Sequence, residues 1–142
     1  MVIRKKQVLI LCTGNSCRSQ MAEGWIRELG GIWEARSAGT RPADTVHPLA
    51  VRAMAEVGVD ISRAKPKLVD TYLSHDWDLV ITVCDSAKES CPRFPGPVVE
   101  QVHVSFPDPA AAEGSEQERL AVFRCVRDAI RERLLPEVER RG

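Results

Sequence analysis

The stretch Gln7-Val8-Leu9-Ile10-Leu11-Cys12-Thr13-Gly14-Asn15-Ser16-Cys17-Arg18-Ser19-Gln20-Met21-Ala22 reads as strand, loop and helix in direct succession. Gln7 to Leu11 is a short apolar run with charges before it and Thr13-Gly14-Asn15 after it, the profile of a fully buried strand entering a loop. From Ser19 to Leu29 the apolar residues Met21, Ala22, Trp25, Ile26 and Leu29 recur at helical spacing, and Gly30-Gly31 ends the run. Between them Cys12 and Arg18 stand six positions apart. A loop of that length can curl so that the backbone N–H groups of Thr13, Gly14, Asn15, Ser16 and Cys17 point inward. The positive end of the following helix then completes a nest for a tetrahedral oxyanion. Arg18 can close the nest with two parallel N–H donors. The same positive surroundings favour the thiolate of Cys12, which can attack the centre of a bound anion, and Ser19 can donate to its sulfur. Gly14 and Asn15 tolerate the left-handed backbone that such a loop demands.

Outward from this segment the pattern repeats. Trp33 to Ala38 reads as a second strand ending at Gly39, and Pro48 opens a helix carrying Leu49, Val51, Ala53, Met54 and Val57, with Gly58 past its end. Asp78 to Val83 reads as a third buried strand. The stretch 85–97 is polar and proline-rich, Val98 to Ser105 alternates as a weaker fourth strand, and Phe106-Pro107-Asp108-Pro109 is a loop. Ser115 with Glu118 forms a capping box before a long helix whose one face carries Leu120, Phe123, Val126, Ile130 and Leu134. Strands alternating with helices imply a parallel sheet covered on both faces, with ligands bound at the carboxyl ends of the strands. Cys12 to Arg18, Cys84 and Asp108 all fall at such ends. The expected architecture is α/β: a single domain over residues 1–142, a three-layer sandwich whose four-stranded parallel sheet has the order 2-1-3-4, with helices on both faces.

Composition narrows the function. The 142 residues are 44% apolar, enough for one core but not two. Twenty basic residues balance twenty acidic ones, so no overall positive field exists to hold a nucleic acid or an anionic membrane. The apolar run after the basic start, Val8 to Cys12, is shorter than the roughly 7–15 residues of a secretion signal, and no segment is long enough to span a bilayer. A cytoplasmic monomer is expected. Five cysteines in that compartment point to redox chemistry, catalysis or metal binding rather than to a static disulfide framework.

The segment from Cys12 to Ser19 resembles the phosphate loop of the low-molecular-weight protein tyrosine phosphatases. In that family an Asp-Pro dipeptide late in the chain supplies the general acid, and Asp108-Pro109 matches it. The phosphatases have aromatic residues after this dipeptide to wall a phenyl pocket, whereas Ala110-Ala111-Ala112 stand here. Cys84 and Cys91 are a second departure. They have no part in hydrolysing a phosphate ester, but thiols can supply the two electrons that reduce an oxyanion. With Cys12 they match the pattern of the thioredoxin-coupled arsenate reductases of the phosphatase-like class, as does Gln20-Met21-Ala22-Glu23-Gly24-Trp25. This second resemblance implies reduction of arsenate to arsenite: Cys12 is the nucleophile, a Cys12–Cys84 disulfide forms and passes to Cys84–Cys91, and thioredoxin restores the thiols. It implies no cofactor beyond these cysteines. Were residues 84–91 helical, their Cα atoms would lie roughly 10 Å apart, beyond the ~4.4–6.8 Å that a disulfide allows, so the segment must rearrange on oxidation.

Other assignments compete for some of these residues. A phosphatase acting on phosphotyrosine or another phosphoprotein residue would use Cys12, Arg18 and Asp108 alone, and a non-catalytic redox sensor would use Cys84 and Cys91 as switches. A zinc site of Cys12, Cys17, Cys84 and Cys91 is opposed by their wide spacing and by Arg18, so no metal is expected. Asn15, Glu23 and Ser37 resemble positions that bind a monovalent cation in some relatives. Cys17 reads as structural or protective, Cys125 as a buried inert thiol, and His47, His75 and His103 as surface or satisfied histidines.

Overall fold

Strand β1 (Lys6–Cys12) buries Val8, Leu9, Ile10 and Leu11 completely. Consecutive strand residues face opposite ways, so an unbroken buried run requires cover on both faces of the sheet. Each such side chain contributes roughly 1.5–3 kcal/mol of burial. The structure, a computed structural model, describes residues 5–84 and 98–142. Cys91, and the rearranging segment expected around it, lie outside the described residues.

β1 pairs in parallel with β2 (Trp33–Gly39) on one side and β3 (Trp77–Thr82) on the other, and β4 (Val98–His103) pairs in parallel with β3. The order is β2-β1-β3-β4, the α/β arrangement that the sequence implied. Parallel neighbours need long crossovers rather than tight turns. Helix α1 (Arg18–Leu29) connects β1 to β2, and α2 (Pro48–Ala55) follows β2. The long α3 (Glu116–Glu139) packs on both α1 and α2, burying Leu120, Phe123, Val126, Ile130 and Leu134.

The helix ends follow from local chemistry. Gly30, at φ 71°, closes α1 by donating to the carbonyls of Ile26 and Arg27. His47 caps α2 by accepting the Leu49 N–H at its Nδ1, with Pro48 in the first turn. Both bonds of the Ser115/Glu118 capping box are present on α3, a device worth about 1 kcal/mol. Two side chains depart from expectation. α2 stops at Ala55, so Val57 lies beyond it and is exposed, as is Leu29 at the end of α1. One arginine ties the three helices together: Arg127 of α3 donates to Ala53 O of α2 at 2.9 Å and to Glu56, while its own carbonyl accepts the indole N–H of Trp25 from α1. Hydrogen bonds from Arg124, with further help from Arg127, hold the Glu56 carboxyl down at about 2. Among the described residues no helix is long and apolar enough to cross a membrane.

Sheet-like pairing continues past the strand ends. Val83 N donates to Leu11 O, and Phe106 N donates to Val83 O. Cys84 and the loop leading to Asp108 are thereby held beside the carboxyl end of β1, where the Cys12–Arg18 loop begins.

Candidate active site

The sulfur of Cys12 is buried and receives the Asn15 backbone N–H at 3.1 Å. Ser19 Oγ lies 2.8 Å from it. That hydroxyl already accepts a hydrogen from Asn15 Nδ2 at 2.8 Å, so its own proton is free to point at the sulfur. The Asn15 amide is oriented without ambiguity, because its Oδ1 accepts the Lys67 backbone N–H at 2.9 Å. Two donors on one sulfur suit a thiolate. Asn15 adopts φ 49° and is the left-handed residue of the loop; Gly14 is not at positive φ, contrary to expectation.

The glycine that sterics require is Gly39, at the end of β2. A Cβ there would sit 2.5 Å from Thr13 O and 3.0 Å from Asn15 N. The chain beyond it runs along the outside of the loop, so that Thr40 N, Arg41 N, Ala43 N and His47 N donate to the carbonyls of Cys12, Thr13, Gly14 and Ser16. A carbonyl held outward turns the next N–H of the planar peptide inward. This brace was not visible in the sequence, because backbone donors belong to every residue type except proline.

Arg18 sits at the first turn of α1, where Nη1 donates to Phe106 O at 3.1 Å and Nη2 lies 3.9 Å from Asp108 Oδ2. Asp108 also caps the short turn Pro109–Ala111 by accepting the Ala110 N–H at 3.0 Å. The Cys84 thiol is buried and lies 3.4 Å from Thr13 Oγ1. The structure therefore gathers Cys12, Thr13, Arg18, Ser19, Cys84 and Asp108 from three separate parts of the chain.

Cys17, in the same loop, has its thiol pushed up to about 12 by burial and by the nearby negative charge of Asp108. It stays protonated near neutral pH, in keeping with a structural reading. Cys125 is exposed, not buried. Two residues advance a helix by about 200°, which carries Cys125 away from the face that Phe123 buries. Each histidine has a contact of its own: His47 caps α2 against Phe123, His75 stacks on Trp77, and His103 Nδ1 lies 2.7 Å from Thr82 Oγ1.

Asn15 Oδ1 already accepts two N–H donors, from Lys67 and Gln20. Ser37 Oγ donates to Glu23 Oε2 at 3.3 Å. Glu23 borders a cavity of about 560 Å³ where Arg27, Arg63, Lys65 and Lys67 face Glu23, Glu28 and Asp60. Among the described residues no three His, Cys, Asp or Glu side chains are grouped to hold a metal ion.

Residues 7–140 match the family described as low molecular weight phosphotyrosine protein phosphatase. The chain belongs to this family. An arsenate reductase of Bacillus licheniformis is 50% identical over 131 residues, which cover 92% of this chain and 93% of that protein. A solved structure described as an arsenate reductase in the phosphate binding state superimposes with a TM-score of 0.77 at 32% identity, covering 96% of this chain and 99% of that one. A thioredoxin-dependent arsenate reductase of Corynebacterium glutamicum aligns with a TM-score of 0.65 at 29% identity, covering 100% of this chain and 66% of that one.

Proposed function

We propose that this protein is an arsenate reductase working in the cytoplasm, and that it uses Cys12, Cys84 and Cys91 in sequence. Arsenate enters the loop, bound by the N–H groups of residues 13–17 and by Arg18. Cys12 attacks arsenic, and one arsenate oxygen leaves as water with a proton from Asp108. Arsenic is still pentavalent in this adduct. Cys84 then attacks the sulfur of Cys12. The new S–S bond replaces the S–As bond, whose electron pair stays on arsenic, so arsenite leaves in the trivalent state. Cys91 attacks Cys84, freeing Cys12 and leaving a Cys84–Cys91 disulfide for thioredoxin to reduce.

The observation that carries this reading is the Cys84 thiol, 3.4 Å from Thr13 of the anion loop, where a phosphatase needs no second sulfur. It is supported by the relatives named arsenate reductase and, for the electron donor, by the thioredoxin-dependent protein. A second reading, hydrolysis of phosphotyrosine or another phosphoprotein ester by Cys12, Arg18 and Asp108, draws on the family match and on Asp108 facing Arg18.

One assay separates them: arsenate-dependent NADPH oxidation with thioredoxin and thioredoxin reductase, beside hydrolysis of p-nitrophenyl phosphate. Arsenate turnover is expected to vanish in Cys12→Ser, Cys84→Ser and Cys91→Ser, with ester hydrolysis lost only in Cys12→Ser. Ester hydrolysis without arsenate turnover in the wild type would make the protein a phosphatase.

A further inference from the structure

The carbonyls of the loop account for themselves almost entirely through backbone donors. Cys12 O, Thr13 O, Gly14 O and Ser16 O are held by the 40–47 segment, and Cys17 O by Met21 N within α1. The one left over is Asn15 O, which belongs to the loop residue at φ 49°. It is held by a side chain, Gln20 Nε2, at 3.2 Å. The same nitrogen lies 3.1 Å from Asn15 Oδ1 and 3.2 Å from Lys65 O.

We propose that Gln20 is a positioning residue of the anion loop. Its amide fixes the Asn15–Ser16 peptide with the carbonyl outward and the Ser16 N–H inward, and it anchors the Asn15 side chain that bonds Ser19. The inference rests on reading the loop as an oxyanion nest, whether arsenate or a phosphate ester is the substrate.

The burial of Gln20 supports the assignment. The residue is fully buried on the first turns of α1, and its Oε1 has no hydrogen-bond partner. A buried amide with an orphaned oxygen weakens a core in which Met or Leu would fill the same space. Such a group is retained where its donors are needed. Gln20 has two amide hydrogens, and all three acceptors around them belong to the loop or to Lys65; Lys67, two residues on, also bonds Asn15 Oδ1 through its backbone N–H. Gln20 touches neither Cys12 nor the anion position directly. It acts through Asn15.

The test uses the full-length protein and inorganic phosphate, with binding measured by calorimetry and by protection of Cys12 from iodoacetamide. Gln20→Met is expected to weaken phosphate binding roughly tenfold, and to raise KM for arsenate more than it lowers kcat. Leu134→Ala, a core cavity under α3, should lose as much or more thermal stability and bind phosphate as the wild type does. Gln20→Glu, which replaces the donors with acceptors, should weaken binding further. In the wild type, the side-chain amide resonances of Gln20 should shift when phosphate is added and exchange slowly with solvent. Phosphate binding within twofold of wild type in Gln20→Met and Gln20→Glu, or Gln20 amide resonances that ignore phosphate, would overturn the proposal and leave the reductase reading intact. A wild-type protein that does not bind phosphate at all would overturn the anion nest and this proposal with it.

Discussion

At the strand end of the anion loop, the Cys12 sulfur receives the Asn15 N–H at 3.1 Å and has the Ser19 hydroxyl at 2.8 Å. At the helix end, Cys17 is also buried, but burial and Asp108 push its thiol up to about 12. Burial is common to both, but the groups around the two sulfurs differ. Desolvation disfavours the charged form wherever it acts; at Cys17 it and the Asp108 charge outweigh the opposing pull of the Ser16 hydroxyl, while the Cys12 sulfur has the Asn15 N–H on it and the Ser19 hydroxyl beside it.

The largest test of that contrast is turnover. Cys12→Ser should reduce arsenate-dependent NADPH oxidation by roughly 10⁴-fold or more, as loss of a nucleophile does. Cys17→Ser should stay within about threefold of wild type. Equal losses in the two variants would erase the distinction. Alkylation reads the same difference without turnover. With a pKa of about 12, the thiolate fraction of Cys17 at pH 8 is on the order of one in 10⁴. Iodoacetamide on the native protein should therefore label Cys12 and leave Cys17 untouched, as read by tandem mass spectrometry. Labelling of Cys17 should then rise about tenfold for each pH unit toward 11 for as long as the fold persists.

A smaller effect isolates one donor. Ser19→Ala removes the hydroxyl from the sulfur and should slow turnover by about tenfold. Ser16→Ala, whose hydroxyl donates instead to Thr45 O at 3.1 Å, should change it by less than about twofold. A larger loss in Ser16→Ala than in Ser19→Ala would mean that the brace, not the donor, limits the chemistry.

The Cys12, Arg18 and Ser19 side of this picture was legible in the sequence because it is written in one contiguous strand–loop–helix, with side chains whose chemistry is specific. The sheet was legible for a related reason: Val8 to Leu11 and Leu79 to Ile81 are unbroken apolar runs that only a doubly covered strand can use. Asp108 was found through family resemblance. The brace from Thr40 to His47 was not, since it works through backbone N–H groups and leaves no residue signature. Gly39 was read as a strand end, although what fixes it is the approach of Thr13 O, a long-range contact that a linear reading cannot supply. Gln20 was named only within the stretch that resembles the arsenate reductases, and its acceptors, Asn15 and Lys65, are set by the fold. Cys125 was misplaced because it neighbours apolar positions along the chain but not around the helix.

Glu23 extends the Cys12–Cys17 contrast to a carboxyl group and gives the smallest effect. Like Cys17 it is buried, and burial raises its pKa above the usual 4.5, against the opposing pull of Arg27, Lys67, the Ser37 hydroxyl and Arg36. A carboxyl whose folded pKa lies above its unfolded one binds more protons in the native state. Its relative stabilisation is therefore complete below pH 4.5 and is lost as pH rises through the raised folded value. Glu23→Gln removes the charge but keeps the shape and the acceptor for Ser37. The melting temperatures of the variant and the wild type should coincide below pH 4.5, and the variant should become the more stable as pH rises, with the gap levelling off above the folded pKa. A variant less stable than wild type at pH 8 would mean that the surrounding cations outweigh desolvation.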